Sequence, residues 1–325
     1  MKILVTGGAG YVGSIVTEEL VKNGYEVIVV DNLQFGHREA VPKEVDFIQA
    51  DIGAADALSR VFHNYQIDAV MHMAADSIVE YSITDPMRCF QNNVSGGLTL
   101  LAVMLKHGVK KIIFSSSAAV YGRPRVKLIR EDQPKNPINP YGESKLVFER
   151  IMGWYEKAYG LKHISLRYFN AAGASQEHGE DHRPESHLIP NILNAARKKN
   201  GSVNIFGTDY PTRDGTCIRD YVHVIDIARA HILALEKMDV LKNRAYNLGN
   251  GEGYSVMEVV KATKQVTAVD IAARINPRRA GDPAVLVAGS QLAHEELGWK
   301  PEYPDITSIL ETAWKWLKSH PQGYG

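Results

Sequence analysis

The chain has 325 residues, 45% hydrophobic and 23% charged, long enough to bury a sizeable core and ordinary in composition for a globular protein. Basic and acidic residues balance at 37 each, so no net field draws the protein to nucleic acid or to an anionic membrane, and no apolar run is long enough to span a bilayer. Two cysteines, Cys89 and Cys217, are too few for a disulfide framework; read as reduced thiols, in a chain that opens directly on a strand pattern instead of a leader, they imply a cytoplasmic setting.

Lys2 to Thr6 is a short apolar run, followed at once by Gly7-Gly-Ala-Gly10-Tyr-Val-Gly13 and an amphipathic stretch from Ile15 to Lys22: strand, glycine turn, helix. In such a turn Gly7 allows the tight bend, Gly10 lets backbone approach a pyrophosphate, and Gly13 lets the helix pack close to the strand. The helix N-terminus then turns its N–H groups and dipole toward the phosphates. A second strand, Glu26 to Val30, ends in Asp31. A carboxylate there accepts hydrogen bonds from an adenosine ribose and repels a 2′-phosphate, so the expected cofactor is NAD and not NADP.

Strand and helix patterns then alternate. Strands are expected from Asp46 to Ala50, Asp68 to His72, Lys111 to Phe114 and His163 to Arg167. Helices are expected from Ala54 to Tyr65, from Pro86 to about His107, and after Pro140. This alternation predicts right-handed crossovers and an α/β, Rossmann-type doubly wound parallel sheet, with ligands at the carboxyl ends of its strands. Gly7, Asp31, Asp51, Ala74, Ala75, Ser117, Phe169 and Asn170 all fall just after predicted strands.

Past about Ala172 the texture changes. Ala174 to Glu185 is polar. A helix is expected from Leu188 to Lys199, a strand from Val203 to Phe206, a polar loop from Tyr210 to Asp220 and an amphipathic helix from Val222 to Met238. Further helical patterns run from Ser255 to Thr267 and from Pro304 to Ser319. A second glycine fingerprint is absent. Residues 1–173 therefore read as the dinucleotide-binding domain and 174–325 as a smaller, mixed α/β substrate lobe, with an approximate boundary that the chain is free to recross and the site between the two. His178 and His182, with Glu177, Glu180 and Asp181, lack cysteines and the helical spacing of a metal site; they read as a flexible acidic loop, and no metal is expected. His223 reads as structural.

In Asn139-Pro-Tyr-Gly-Glu-Ser-Lys145, Tyr141 and Lys145 stand four residues apart, on one helix face. A free phenol with a pKa near ~10 is a poor base at neutral pH; a neighbouring ammonium, a cationic cofactor and a low-dielectric site favour the phenolate. Such a group takes a proton from an alcohol while hydride leaves the same carbon.

Together these segments, with Val5 to Gly13, Asn92-Asn-Val94, Phe114 to Ser117 and Val120-Tyr-Gly122, resemble the extended short-chain dehydrogenase/reductase family. Leu166-Arg-Tyr-Phe-Asn170, Gly179-Glu-Asp181, Asp209-Tyr-Pro211, Asp214-Gly-Thr216, Arg219 to His223, Tyr246 to Gly249 and Arg278 to Asp282 resemble its UDP-hexose 4-epimerase branch. That resemblance implies interconversion of UDP-galactose and UDP-glucose. Hydride leaves C4 for NAD, Tyr141 takes the hydroxyl proton, the 4-keto sugar turns about its link to UDP, and hydride returns to the other face. Tyr141 is then the acid/base, Lys145 its electrostatic partner and a ribose ligand, and Ser117 a donor to the C4 oxygen. NAD is placed against Gly7, Gly10, Tyr11, Val12, Gly13, Asp31, Asn32, Asp51, Ile52, Met73, Ala74, Ala75, Ser77, Asn93, Ser115 and Phe169, besides Tyr141 and Lys145. The UDP-hexose is placed with Arg219 and Arg279 on the diphosphate, Asn170 beside them, His187, Leu188, Asn204 and Phe206 around the uridine, and Asp282 on a ribose. The helices after Pro86 and Pro140 match those through which relatives dimerise, so a homodimer is expected.

Two departures stand out. Met73-Ala-Ala-Asp-Ser77 has no Lys at position 77, so NAD is expected to be held less tightly than in members that have one. Position 286, where bulk limits N-acetylated sugars in this family, is the intermediate Leu. The rival readings are another nucleotide-sugar enzyme (an epimerase for UDP-N-acetylglucosamine or UDP-glucuronate, a decarboxylase or a dehydratase) and a non-catalytic NAD-binding sensor. Dehydratases carry a carboxylate pair where this chain has Ala118-Ala119, and a sensor has no use for Ser117, Tyr141 and Lys145 together.

Overall fold

The structure, a computed structural model, describes residues 1–198, 201–241, 245–279 and 282–325. Lys199, the expected end of one helix, and Ala280-Gly281 of the Arg278 to Asp282 motif lie outside the described residues.

The first half follows the sequence pattern. Strand β1 (Lys2–Thr6) leads into α1 (Tyr11–Lys22), then β2 (Glu26–Asp31), β3 (Asp46–Gln49), α2 (Ala55–Asn64) and β4 (Ala69–His72). Short helices α3 (Val79–Thr84) and α4 (Pro86–Phe90) precede α5 (Gly97–Lys106), followed by β5 (Lys111–Ser117), α6 (Pro140–Tyr159) and β6 (Lys162–Tyr168). The strands are apolar on both faces because helices cover both. Ile3 and Val5 of β1 face the α1 side while Leu4 faces α2 and α5, and all three are 0% exposed. Full burial of such a side chain stabilises by ~1.5–3 kcal/mol.

The expected long helix from Pro86 to His107 is three segments, with a π-helical turn over Gln91–Gly96 between α4 and α5. The glycines at its end pack tightly: a Cβ on Gly97 would lie 2.4 Å from the Phe148 ring, and one on Gly96 would lie 2.9 Å from Ile52. The widened turn re-aims its asparagines, which matters for the site.

The second half continues with β7 (Asn170–Ala172), α7 (Leu188–Ala196), β8 (Ser202–Phe206), β9 (Ile218–Arg219) and β10 (Tyr221–His223). After α8 (Val224–Lys237) and β11 (Ala245–Leu248) come β12 (Tyr254–Ser255), α9 (Val256–Thr267), β13 (Ala272–Asn276), β14 (Val285–Leu286) and α10 (Ile306–Ser319). The central sheet is parallel, in the order β11-β6-β5-β4-β1-β2-β3. The chain recrosses the expected boundary: β11 pairs with β6, and α8 packs with α1 in the core that holds Val224, Ile227, Tyr246 and Leu248. The remaining second-half elements form a lobe around Ile189, Ile192, Val259, Ile309 and Leu310. The expected polar loop from Tyr210 to Asp220 contains β9, which pairs with β12 and β14.

His223 is structural. Its Nδ1 accepts the Ile225 N–H at 3.1 Å and caps α8, so its Nε2–H donates to Thr312 Oγ1 at 2.8 Å. Burial lowers its pKa to about 3, and the ring stacks on Tyr303 with centroids 3.9 Å apart.

The segment after β7 is pinned to the core, contrary to the expectation of a flexible loop. His178 is 6% exposed and its Nδ1 lies 2.6 Å from a Glu18 oxygen, to which the Ser175 hydroxyl also donates at 2.5 Å. Burial alone raises the Glu18 pKa, but hydrogen bonds from His178, Lys22 and Ser175 outweigh it and bring it to about 2. A depressed carboxyl pKa contributes stability above its unfolded value near ~4.5 that is lost as pH falls through the folded value. Glu18→Gln is therefore expected to lower stability to urea at pH 7 by roughly 3 kcal/mol and to flatten its decline between about pH 4.5 and 2. An unchanged acid slope would exclude the linkage.

Candidate functional site

One cavity of about 790 Å³ opens at the carboxyl ends of the strands, between the sheet and the second lobe. Its floor is the glycine turn. Gly7 has φ +74°, and a Cβ there would lie 2.4 Å from the Ala74 amide nitrogen. A Cβ on Gly13 would lie 2.0 Å from the Gly7 carbonyl oxygen. The turn thus packs without room for side chains, and α1 begins at the cavity wall with Gly10, Tyr11, Val12 and Gly13 exposed to it. This cradle fits a dinucleotide pyrophosphate at a helix N-terminus.

Asp31, 9% exposed, accepts from the Ala9 N–H at 3.0 Å and the Leu33 N–H at 2.8 Å, one on each oxygen. Burial pushes its carboxyl pKa up against those bonds. It shapes the turn as well as lining the cavity. Asn32, Ile52, Met73, Ala74, Ala75, Ser77, Ser115 and Phe169 also line it. Two of the expected cofactor residues do not. Asp51 sits outside, accepting from Asn32 Nδ2 at 2.8 Å and from the Gly53 N–H at 2.7 Å. Asn93 is turned inward, where its amide group bonds Asp76 backbone on both sides (2.7 and 3.0 Å) and donates to Ser144 at 2.9 Å; the π-helical turn presents Asn92 to the cavity instead.

Tyr141, Lys145 and Ser117 converge at the strand ends. Asn139 caps α6, accepting from the Gly142 N–H at 2.8 Å, and Pro140 occupies the first turn, which fixes the helix start beside β5. Ser117 Oγ accepts from the Ala119 N–H at 3.1 Å and lies near enough to the Tyr141 phenol to lower its pKa. Lys145, 2% exposed, donates to the Ser115 carbonyl at 2.9 Å, with its nitrogen 5.6 Å from the Tyr141 ring centre. The electrostatics differ from the sequence expectation. Burial raises the Tyr141 pKa, opposed by the nearby Ser117 hydroxyl, and burial brings Lys145 down to about 7. The ammonium is aimed at a carbonyl and not at the phenol, and desolvation penalises both charges.

At the far end, Arg219 is largely buried. Its Nη1 donates to the Ile218 and Pro283 carbonyls at 2.9 Å each, and its Nη2 lies 3.5 Å from Asp282. Arg279 lies over the Phe206 ring at 4.1 Å and 3.8 Å from Glu80 of α3, across the cavity mouth. Asn170 donates its side-chain amide to the Asp220 carbonyl at 2.7 Å, and Asn204 accepts from Asn276 at 3.3 Å. His187 and Leu188 complete this wall. Leu286 stands off it, packed with Val120, Tyr121, Ile129 and Leu146.

The sequence reading missed several lining residues. Gln34 and Phe35 follow β2, and Tyr168 precedes Phe169 at the end of β6; their strand-end positions are the signal that marks them. Glu180, His182 and Glu185 also line the cavity, with donor atoms that approach those of His187 within 4.8 Å. His187 Nδ1 lies 2.6 Å from Glu180 and 3.3 Å from Glu185, and His182 Nδ1 lies 3.1 Å from Glu180. Burial opposes charge on both imidazoles, but the carboxylates outweigh it and raise their pKa values.

Fold and cavity define a Rossmann-type protein in which a Ser, a Tyr and a Lys meet beside a glycine-turn cradle. The model of the NAD dependent epimerase/dehydratase family matches residues 3–249, and the chain belongs to that family. The UDP-glucose 4-epimerase of Lacticaseibacillus casei is 51% identical over 328 aligned residues, covering 100% of this chain and 99% of that protein. A solved UDP-glucose 4-epimerase superposes with a TM-score of 0.97 at 48% identity over 100% of both chains. The UDP-glucose 4-epimerase from Bifidobacterium longum, solved with NAD+ and UDP, superposes with a TM-score of 0.94 at 38% identity, covering 99% of this chain and 100% of that one.

Proposed function

We propose that the protein interconverts UDP-galactose and UDP-glucose by inversion at C4, with NAD as a resident cofactor. Its full-length similarity to UDP-glucose 4-epimerases supports this reading. The observation that carries it is one cavity holding a Ser–Tyr–Lys cluster at one end and two guanidinium groups at the other.

The NAD residues are the glycine turn, Asp31 and the strand-end residues that line the cradle. When bound, NAD supplies a reversible hydride acceptor for C4. Tyr141 takes the 4-hydroxyl proton and later returns it, and Ser117, beside the phenol, donates to that oxygen and keeps it within reach. Because burial works against a phenolate here, the base needs positive charge that arrives with the oxidised cofactor, added to Lys145. Arg219 and Arg279 hold the diphosphate; a guanidinium matches phosphate geometry in a bidentate fork. Firm nucleotide anchoring leaves the 4-keto sugar free to turn, which inversion requires.

Incubating the purified protein with UDP-galactose and no added NAD, and identifying the sugar by NMR, is expected to give UDP-glucose. A stable 4-keto or decarboxylated product, or no conversion even with NAD supplied, would exclude the reaction.

The assembly is a homodimer in this reading. Met87 of α4, Trp154 of α6 and Ile83 of α3 are 68%, 67% and 58% exposed, an apolar set that a second copy would cover. Light scattering is expected to give twice the chain mass; a monomer mass would refute it. Among the described residues no helix is long and apolar enough to cross a membrane, and both cysteines are free, which suits a reducing, cytoplasmic compartment.

A further inference from the structure

We propose that Glu149 is a positioning residue for this reaction: its buried carboxylate locks the helix that carries Tyr141 and Lys145 to the strand end that carries Ser115 and Ser117. The proposal rests on the epimerase reading above and adds to it a group that does not line the cavity.

Glu149 follows Lys145 by one helical turn on α6. Its side chain is 9% exposed, and that of Arg167, from β6, is 5% exposed. One Glu149 oxygen accepts from Ser116 Oγ at 2.6 Å and from Arg167 Nε at 2.9 Å; the other accepts from Arg167 Nη2 at 2.5 Å. Ser116 points away from the cavity because strand side chains alternate, so its bond to Glu149 fixes the strand between the two site serines without touching ligand. In the same register Ser116 stands beside Arg167 and Ser117 beside Tyr168, whose hydroxyl bonds Ser115. Arg167 Nη1 extends the tie to the Tyr121 hydroxyl at 2.9 Å, and Tyr121 donates to Asn247 of β11 at 2.7 Å. The carboxylate thus ties α6 to β5 and β6 beneath the site, and Arg167 and Tyr121 carry the tie on to β11. An ion pair buried this deeply is a poor way to gain stability, since apolar side chains fill the same space without desolvating charges; what it supplies is a fixed placement.

The carboxylate also acts on charge. Lys145 faces Tyr141 and Glu149 on its own helix, Cys89 on α4, His72 on β4, and Phe114 and the Ser115 carbonyl on β5. Burial drives Lys145 toward its neutral form, and Glu149 opposes that. Glu149→Gln removes the opposition and strands the Arg167 cation nearby. Lys145 then loses its proton at lower pH, and activity that requires the ammonium retreats to the acid side.

The test is the pH profile of kcat for UDP-galactose conversion in wild type, Glu149→Gln and the double variant Glu149→Gln/Arg167→Gln, on protein with wild-type circular dichroism and NAD content. In Glu149→Gln, kcat is expected to fall about 100-fold at pH 8, the cost of a misplaced catalytic group, while KM moves by less than about 3-fold. The high-pH limb is expected to move down by about one pH unit. The double variant, with no stranded cation, recovers the limb but not kcat. If Glu149→Gln does not fold, Glu149→Asp keeps the charge and withdraws it by one methylene, and is expected to lose kcat with the limb unmoved. A folded variant with wild-type kcat and profile, or a kcat loss that only follows lost NAD or folded fraction, overturns the proposal. Wild-type turnover in the same series fails only if the epimerase reading itself is wrong.

Discussion

Replacing Tyr141 by Phe is expected to abolish nearly all turnover while leaving bound NAD at its wild-type level. The substitution removes one oxygen. Ser117 is the neighbour that acts on that oxygen, and the ring keeps its place on a helix capped by Asn139. The glycine cradle and Asp31 are untouched, so cofactor retention should not change. A positioned acid/base contributes ~10²–10⁴-fold, and kcat should fall by that order with KM little altered. Burial raises the phenol and brings Lys145 down to about 7, but the Lys145 nitrogen is held on the Ser115 carbonyl at 2.9 Å, so its amine is not free to take over the phenol's place. Extracted NAD and kcat measured on one preparation decide the matter. Turnover within a few-fold of wild type would remove Tyr141 from the mechanism.

Gly13→Ala is expected to cost the protein its cofactor and much of its stability. A Cβ at this position would sit 2.0 Å from the Gly7 carbonyl oxygen, 2.8 Å from its carbon and 2.9 Å from Gly8 Cα, all of them backbone. Relief requires α1 to back away from the turn. That movement carries Tyr11 and Val12 off the cavity wall and loosens Ile15, Val16 and Leu20 from the core they share with α8. Overpacking of this kind costs about 1–3 kcal/mol or more, and in a chain of this length the melting temperature should fall by roughly 2–5 °C. Gly153→Ala is the control. A Cβ there meets nothing within 4 Å on α6, so alanine should leave stability unchanged or raise it by up to ~1 kcal/mol. A Gly13→Ala protein that retains NAD and wild-type melting would mean that the turn tolerates a side chain and that the cradle argument is wrong.

How much was legible before the fold can be judged at particular residues. Gly7, Gly13 and Asp31 were readable because a strand, a glycine turn and a helix constrain one another within a few residues. Tyr141 and Lys145 were readable because a helical repeat of four places them together. Asn93, expected at the cofactor, is instead turned inward onto Asp76 and Ser144, and the π-helical turn puts the neighbouring Asn92 on the cavity wall. The segment that holds Glu180 and His182 looked like a solvated acidic loop because its partners, Glu18 and His37, lie more than a hundred residues earlier.

The direction of the Tyr141–Lys145 electrostatics belongs to the same class. Spacing shows that phenol and ammonium are near; it does not show that the ammonium donates to the Ser115 carbonyl or that both groups are buried. Local order, the alternation of strands and helices and the turn chemistry were therefore determined by the sequence itself, since they depend on neighbours along the chain. Which asparagine faces the cavity, how far each charge is desolvated, and the tie through Glu149 were decided only by the tertiary structure. Those depend on groups that the chain brings together across separate strands, and both burial and Coulomb energy are set by distance in space.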